Sequence, residues 1–478
     1  MFLYIIKMNL SKYSHKCYDY ILNKCPKNFF DNSINYNKKY DIIDQFQKLI
    51  IETKKDSIGF KKIKSITIPK LNNKSILMHL FFLRLKELGS NAKNLQEEQI
   101  DSLYDFLSWY KNIQHDLYIP NILNLSTSYS SDPVLIELYD KMSDCSGPRE
   151  KLNRLLYDNP FLSGEIYVIA EKSNLLYNTY TLDNIIIEIY IPDTKSLPHL
   201  TKITFSTNQI ARLFHICKFM QVIAKKKKKS VELVLFCSNA KKRLKYQNNN
   251  KILVPENINS GSTVNRSYIN IWRLEECEKV LIHELIHLFQ IDFTIDESGY
   301  NDLVQEIKSK FNLEGTDKPY EAYTETVAII IYSLYTGFYL KKDFMDIINA
   351  ESKFVMFQTA KILYFFGATD INQILNKTHN SIYINQTTSV LSYFIIKCLF
   401  LASITNFLDF MNGEIYFNKK FDEFFKLINN CVSNKNIINN INLFLKQICA
   451  NLNNNTTNQS AFIYRTLRMS CIELGQIN

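Results

Sequence analysis

Residues 275–292, EECEKVLIHELIHLFQID, form the most informative stretch of this chain. It contains no Gly or Pro, and Glu275, Glu276 and Glu278 suit the positive end of a helix dipole, so a helix over about 275–292 is expected. Val280, Leu281, Leu285 and Leu288 give that helix its apolar faces. His283 and His287 stand four residues apart and share one face, where both imidazoles can reach a single zinc ion. Glu284 sits beside them, placed to hydrogen-bond a water on the metal, which completes an HExxH pattern. The competing reading is a pair of structural histidines satisfied by backbone or carboxylate partners. Burying two imidazoles and a carboxylate side by side without use is costly, which favours the metal.

A catalytic zinc takes three protein ligands and keeps one open position. Gln290 and Phe293 occupy the places where a metzincin continuation carries Gly and His, which excludes that class. Asp292 lies five residues past His287, about 140° around a continuous helix, and is read as a helix-end or turn residue. A second helix is expected to open near Asp317, with Pro319 just inside, and to run through Glu321 to about Tyr335. Glu321 and Glu325 share a face of it. One of them can bind zinc while the other accepts the free ring N–H of a zinc histidine. Glu321 is assigned to the metal and Glu325 to the histidine, with the reverse assignment and an ordinary acidic helix face as alternatives.

Outward from this site, residues 1–150 carry helical periodicity, for example Leu77, Leu80, Phe81, Leu83 and Leu85, and read as a helical N-terminal domain. Ile185 to Ile191, Ile203 to Ser206 and Val231 to Phe236 read as strands, with helical spacing over Ile210 to Ile223 and a turn-rich loop at 257–263 before a strand at Tyr268 to Trp272. Residues 151–345 thus form an α/β core, and 346–478 a helical C-terminal region that completes the cleft. The fold class is α+β and mainly helical, a small sheet packed on the HExxH helix.

Composition limits the alternatives. With 478 residues and 46% hydrophobic content the chain can bury a large core, and Gly 11 and Pro 10 favour long helices over many tight turns. Lys+Arg 57 against Asp+Glu 47 gives a net charge of +10, which permits nucleic-acid contact without arguing for it. Lys225 to Lys229 is the densest basic run and reads as a solvated helix end or loop. Ten cysteines without a CxxC pair read as free thiols in a reducing compartment, and the N-terminus has no signal-peptide pattern. The apolar stretches Val327 to Leu340, Phe354 to Ala368 and Val390 to Leu408 are short or interrupted by Lys361 and Lys397, so they are expected as buried helices and not as membrane spans. His15, His79, His115, His199, His215 and His379 stand alone and are read as structural. Cys277, about 240° from His283 around the helix, is not expected to join the zinc.

The HExxH helix followed, 34 residues after His287, by a helix bearing Glu321 and Glu325 resembles the gluzincin class of zinc metallopeptidases. A narrower resemblance joins Asn259 to Thr263, Ile269 to Glu276, Lys279 to Glu284, Asp292-Phe293, Tyr320 to Ala328, Thr387 to Val390 with Tyr393 and Lys397, and Thr466 to Ser470. These pieces, spread over roughly 230–472, look like a family of uncharacterised HExxH metallopeptidase-like proteins from large double-stranded DNA viruses. The resemblance implies one zinc per chain on His283, His287 and Glu321. It implies Glu284 as the general base that activates a zinc-bound water against a peptide carbonyl, and a zincin-like core. It also implies a strand at 268–272 whose edge aligns extended substrate, and it draws Tyr393 and Arg468 in as candidate donors to the oxyanion or substrate. The partner is then a protein or peptide substrate met inside the cell, in the cytoplasm of an infected host or in a virion, rather than after secretion. The alternative function is a non-catalytic, zinc-stabilised structural or virion protein.

Overall fold

The computed structural model describes residues 41–68, 151–152, 155–156, 159, 161–193, 205–244, 251–293, 298–375, 380–453 and 463–474. Among them, those within 1–63, 179–188 and 204–478 form one compact unit and those within 64–178 and 189–203 another. The helical periodicity at 77–107 and five of the isolated histidines, His15, His79, His115, His199 and His379, lie outside the described residues.

The chain opens with α1 (Asp41–Asp56) and β1 (Lys61–Ile68), followed by α2 (Gly164–Lys172), β2 (Leu175–Leu182), β3 (Ile185–Pro192), α3 (Thr207–Ile223) and β4 (Val231–Phe236). Next come β5 (Ile252–Leu253), α4 (Pro255–Ile258), β6 (Gly261–Val264), β7 (Tyr268–Ile271), α5 (Cys277–Phe289), α6 (Tyr300–Lys310), β8 (Leu313–Gly315) and α7 (Tyr320–Leu340). The rest is helical apart from β9 (Ile384–Gln386): α8 (Phe344–Phe366), α9 (Asn372–Leu375), a π-helical stretch at Leu391–Ile396, α10 (Lys397–Ala402), α11 (Ile404–Met411), α12 (Phe421–Val432) and α13 (Lys435–Asn453). The architecture is α+β, with a mixed six-stranded sheet ordered β1-β2-β3-β4-β7-β6 and a second sheet ordered β5-β9-β8.

Three features differ from the expected organisation. Residues 41–56 join the core, because α1 buries Phe46 edge-on to Phe219 of α3 with ring centroids 6.0 Å apart. The boundary expected between 345 and 346 falls inside one unit. Nearly every side chain of α7 is buried, so it needs α8 as cover, and only a short turn capped by Asp343 on the Met345 amide separates the two. The strand before the HExxH helix is internal. β7 lies parallel to β4 (Leu233 opposite Ile269) and antiparallel to β6 (Ser262 opposite Asn270), so the outermost strand is β6, within the stretch expected to be a loop. Asn265 and Arg266, both at positive φ (47° and 52°), form the tight turn that pairs β6 with β7. Of the strand expected at 203–206, Ser206 instead caps α3 in a reciprocal capping box with Gln209.

α5 spans 277–289 and is buried along almost its whole length. Its N-cap, Glu276, has φ 62° and is held there by its side chain. That carboxylate accepts from Lys242 Nζ (2.8 Å) and from the amides of Met469 (2.8 Å) and Ser470 (2.6 Å), which ties the helix start to the C-terminal segment. The stretches 327–340 and 354–366 are buried helix, the second ended by Gly367 in a left-handed conformation, and 390–408 is divided among the π-helical stretch, α10 and α11. No single helix among the described residues is long and apolar enough to cross a membrane.

Candidate metal centre

α5 and α7 pack against each other and bring three donors together. His283 Nε2 and His287 Nε2 are 3.0 Å apart, and Glu321 Oε2 lies 3.3 Å from the first and 3.4 Å from the second. A tetrahedral site with bonds of roughly 2.0–2.1 Å has edges of about 3.3–3.4 Å, so the triangle has the dimensions of one face of such a site. The far side of each ring meets a carboxylate. His283 Nδ1 is 2.8 Å from Glu325 Oε1, and His287 Nδ1 is 2.6 Å from Asp292 Oδ2. A carboxylate favours the proton on Nδ1, which turns both Nε2 lone pairs toward the Glu321 oxygen. Three lone-pair donors converging in a buried space repel one another unless a cation lies between them. The two-nitrogen, one-oxygen set therefore fits a divalent metal of the zinc type, with His283, His287 and Glu321 as the holding residues.

The same carboxylates attract positive charge to the triangle, either a metal ion on the Nε2 atoms or, in its place, a second proton on each ring. Burial disfavours charged imidazoles, yet Glu321 and Glu325 move His283 toward the charged form, and Asp292 and Glu321 hold His287 well above its ordinary range. Burial would raise the Glu321 carboxyl, but the two histidines more than offset this and hold it far below the usual range.

Asp292 is a residue that helical geometry misplaced. The 3.6-residue count assumed a continuous helix, but α5 stops at Phe289. Gln290 takes a left-handed conformation (φ 57°), and the Ile291 amide bonds back to the Ile286 carbonyl. The reversal swings Asp292 under His287, where Thr324 Oγ1 of α7 also donates to it (3.1 Å). Asp317, expected as a helix N-cap, instead takes hydrogen bonds from Ser392 Oγ (2.7 Å) and Gln386 Nε2 (3.2 Å), and burial pushes its carboxyl up to about 6.

Glu284 is buried beside the triangle. Thr263 Oγ1 of β6 contacts both its carbonyl oxygen (2.8 Å) and its Oε2 (2.9 Å). Burial raises the Glu284 carboxyl, against the opposing pull of His283, His287 and Thr263. Gly261 explains how the strand comes so close. A Cβ there would stand 2.6 Å from Val280 Cγ1 and 2.9 Å from Glu284 Oε1. Glu325 is clamped by two buried ammonium groups, Lys279 on Oε1 and Lys397 on Oε2 (2.9 Å). Burial alone would raise its carboxyl, but the two lysines hold it well below the usual range.

Tyr393 lies at the site, its ring centroid 6.2 Å from that of His283, on the π-helical stretch. A cavity of about 30 Å³, room for one or two waters, is lined by Gly261, His283, Glu284, Glu325 and Tyr393 among others. Tyr320 packs edge-on to the His287 ring at 5.9 Å. Arg468 is placed elsewhere. Fully buried, it reaches Glu473 Oε2 (3.1 Å) and Glu275 (3.6 Å) near the start of α5, about two helical turns from His283. Its guanidinium serves that acidic cluster and does not line the cavity. His215 is structural, with Nε2 on the Ile50 carbonyl (2.9 Å) and Nδ1 on Tyr339 (3.0 Å), and burial lowers it to about 4. Cys277 is not part of the donor triangle.

Thr263, Asp292, Lys279 and Lys397 escaped sequence reasoning as parts of the site. Lys279 and Asp292 stand close to the histidines in sequence, and all four fall in the stretches that carry the narrower resemblance, but neither signal gave them a role. No family model, no curated protein and no solved structure matches this chain.

Proposed function

We propose that this chain is a zinc-dependent peptidase of the gluzincin type, with a zincin-like core formed by α5, α7 and the β4-β7-β6 side of the sheet. The observation that carries the reading is the convergence of His283, His287 and Glu321 within 3.0–3.4 Å beside the buried Glu284 carboxylate. Zinc in such a donor set supplies a Lewis acid that acidifies water and polarises a carbonyl. Glu284 takes the proton from the attacking water and returns it to the leaving amine, its carboxylate held in place by Thr263. Tyr393, whose phenol burial and Glu321 keep protonated, donates to the developing oxyanion. Glu325 and Asp292 fix the two imidazoles. The outer edge of β6, which no strand among the described residues pairs, aligns the substrate backbone. The substrate is a protein or peptide. Free thiols at Cys217, Cys237, Cys277, Cys398, Cys431, Cys449 and Cys471 suit a reducing, intracellular setting.

The test is Glu284→Gln in the zinc-loaded protein against a pool of quenched fluorescent peptides. The variant is expected to keep its metal and lose hydrolysis by about 10²–10⁴-fold; hydrolysis at the wild-type rate would overturn the reading. One observation favours a second reading. The His283 and Glu321 side chains are each only 8% exposed, as in a metal that staples two helices. That reading predicts a lower melting temperature on chelation and no hydrolysis with any peptide.

A further inference from the structure

Strand β6 closes one end of the six-stranded sheet, and among the described residues no strand pairs with its outer side. It follows α5 along its length. Gly261 abuts Val280 and Glu284, Thr263 bonds Glu284, and the turn at Asn265-Arg266 comes next in the direction of the helix C-terminus. The turn between α3 and β4 arrives at the same end, because Lys229 Nζ donates to the carbonyl of Leu288 in the last turn of α5 (2.7 Å). Asn184 fixes that turn by donating to the Lys227 (3.1 Å) and Lys229 (2.9 Å) carbonyls. Lys225, Lys226, Lys227, Lys228 and Arg266 are all exposed. Their nearness is felt by Lys229, whose ammonium is lowered first by burial and then by Lys226 and Arg266. Asp183, beside Asn184, is already engaged by Lys218 (2.5 Å). The run that reads from sequence as a solvated helix end or loop therefore stands with Arg266 as one basic surface at the far end of the substrate-aligning strand.

We propose that this surface selects acidic peptides: an extended segment pairs with the outer edge of β6 and places Asp or Glu residues against Lys225 to Lys228 and Arg266. The role of β6 rests on the peptidase reading above. At about 3.3 Å per residue, the acidic residues fall roughly four to six positions from the residue opposite Gly261, all to one side of it. Charge complementarity names the occupant, and the free strand edge makes it a peptide, since main-chain pairing there supplies affinity independent of side chains. The basic run contains no aromatic residue on which a nucleic-acid base would stack.

The probes are short fluorescein-labelled peptides, an extended Val/Thr segment with a run of glutamates at its N-terminal or its C-terminal end so that either strand direction is covered, each compared by anisotropy with a version carrying glutamines. Binding to the zinc-loaded full chain is expected to be about tenfold or more tighter for the glutamate peptide of one orientation at low salt, with the difference reduced at high salt. The preference is expected to vanish in Lys226→Glu/Lys227→Glu/Lys228→Glu/Arg266→Glu and to shrink in the corresponding Gln variant. Amides of residues 261–264 should exchange more slowly with the glutamate peptide bound. Equal binding of the glutamate and glutamine peptides in both orientations, unchanged binding by the charge-reversed variant, or charge-dependent binding of a single-stranded oligonucleotide but not of the peptides would overturn the proposal. Glutamate preference without hydrolysis removes the peptidase reading and keeps the surface. Hydrolysis indifferent to glutamate removes the surface alone.

Discussion

Replacing Gly261 by Ala tests the seating of β6 on the HExxH helix. The added methyl would stand 2.6 Å from Val280 Cγ1 and 2.9 Å from Glu284 Oε1, against a favourable separation of about 3.5–4.0 Å. The strand would have to retreat by roughly 1 Å. Behind it, however, Gly261 is paired with Ile271, and the Trp272 amide bonds the Ser260 carbonyl at 3.0 Å. Val280 is β-branched and sits on a buried helix, so it gives way poorly. Overpacking of this kind costs about 1–3 kcal/mol. Glu284, the more flexible neighbour, is displaced from Thr263, and under the proposed peptidase mechanism a shift of about 1 Å in that carboxylate is expected to reduce turnover on the order of 10²-fold. Gly164→Ala is the control, since nothing lies within 4 Å of a Cβ there and the position opens a helix. It should be neutral or stabilising by up to about 1 kcal/mol. Urea-unfolding midpoints and turnover of the two variants are the assay, with zinc content as the check that the ligands remain in place. A Gly261→Ala protein as stable and as active as the wild type would refute the close approach of β6 to Glu284.

Other outcomes follow from the same geometry. Lys397→Met leaves the buried Glu325 with one ammonium partner instead of two, and chemical denaturation should show a loss of about 3–5 kcal/mol, partly recovered when Glu325→Gln is added. Asp292→Asn replaces the anion behind His287 and is expected to weaken zinc about 10–100-fold in a chelator competition, with folding retained. Asp317 is an acid whose folded pKa, about 6, lies above its ordinary 3.8, so the folded state holds the proton more tightly. Its contribution is fully present below pH 4 and falls away by about 3 kcal/mol as pH rises through 6. The difference in stability between wild type and Asp317→Asn, measured across pH 4–7, should follow that slope, and a pH-independent difference would show that the group does not titrate there.

What the sequence made legible was local. The HExxH helix announces itself because 3.6-residue spacing places His283, Glu284 and His287 without help from the rest of the chain, and the same rule puts Glu321 and Glu325 on one face of α7. The outer partner of His287 was hidden, since the left-handed Gln290 ends the rule two residues before Asp292. β6 reads as loop from sequence because Gly261, Ser262 and Thr263 are small and polar and show no apolar alternation; their strand character comes from pairing with β7. The second sheet has strands of only two or three residues, too short for any period to register. Lys397 meets Glu325 across 72 residues of sequence, and Arg468 meets Glu275 across a still longer interval. Such pairings are made by tertiary packing alone, so neither the Lys397 clamp on Glu325 nor the separation of Arg468 from the histidines has a signature in the local sequence.

The decisive measurement is the metal content of the purified protein beside that of a His283→Ala/His287→Ala variant whose helical circular dichroism is intact. One zinc per wild-type chain and none in the variant is the expected result. A folded wild-type protein that takes up no zinc from excess metal would contradict it, and would leave the two histidines as structural residues held by Glu325 and Asp292.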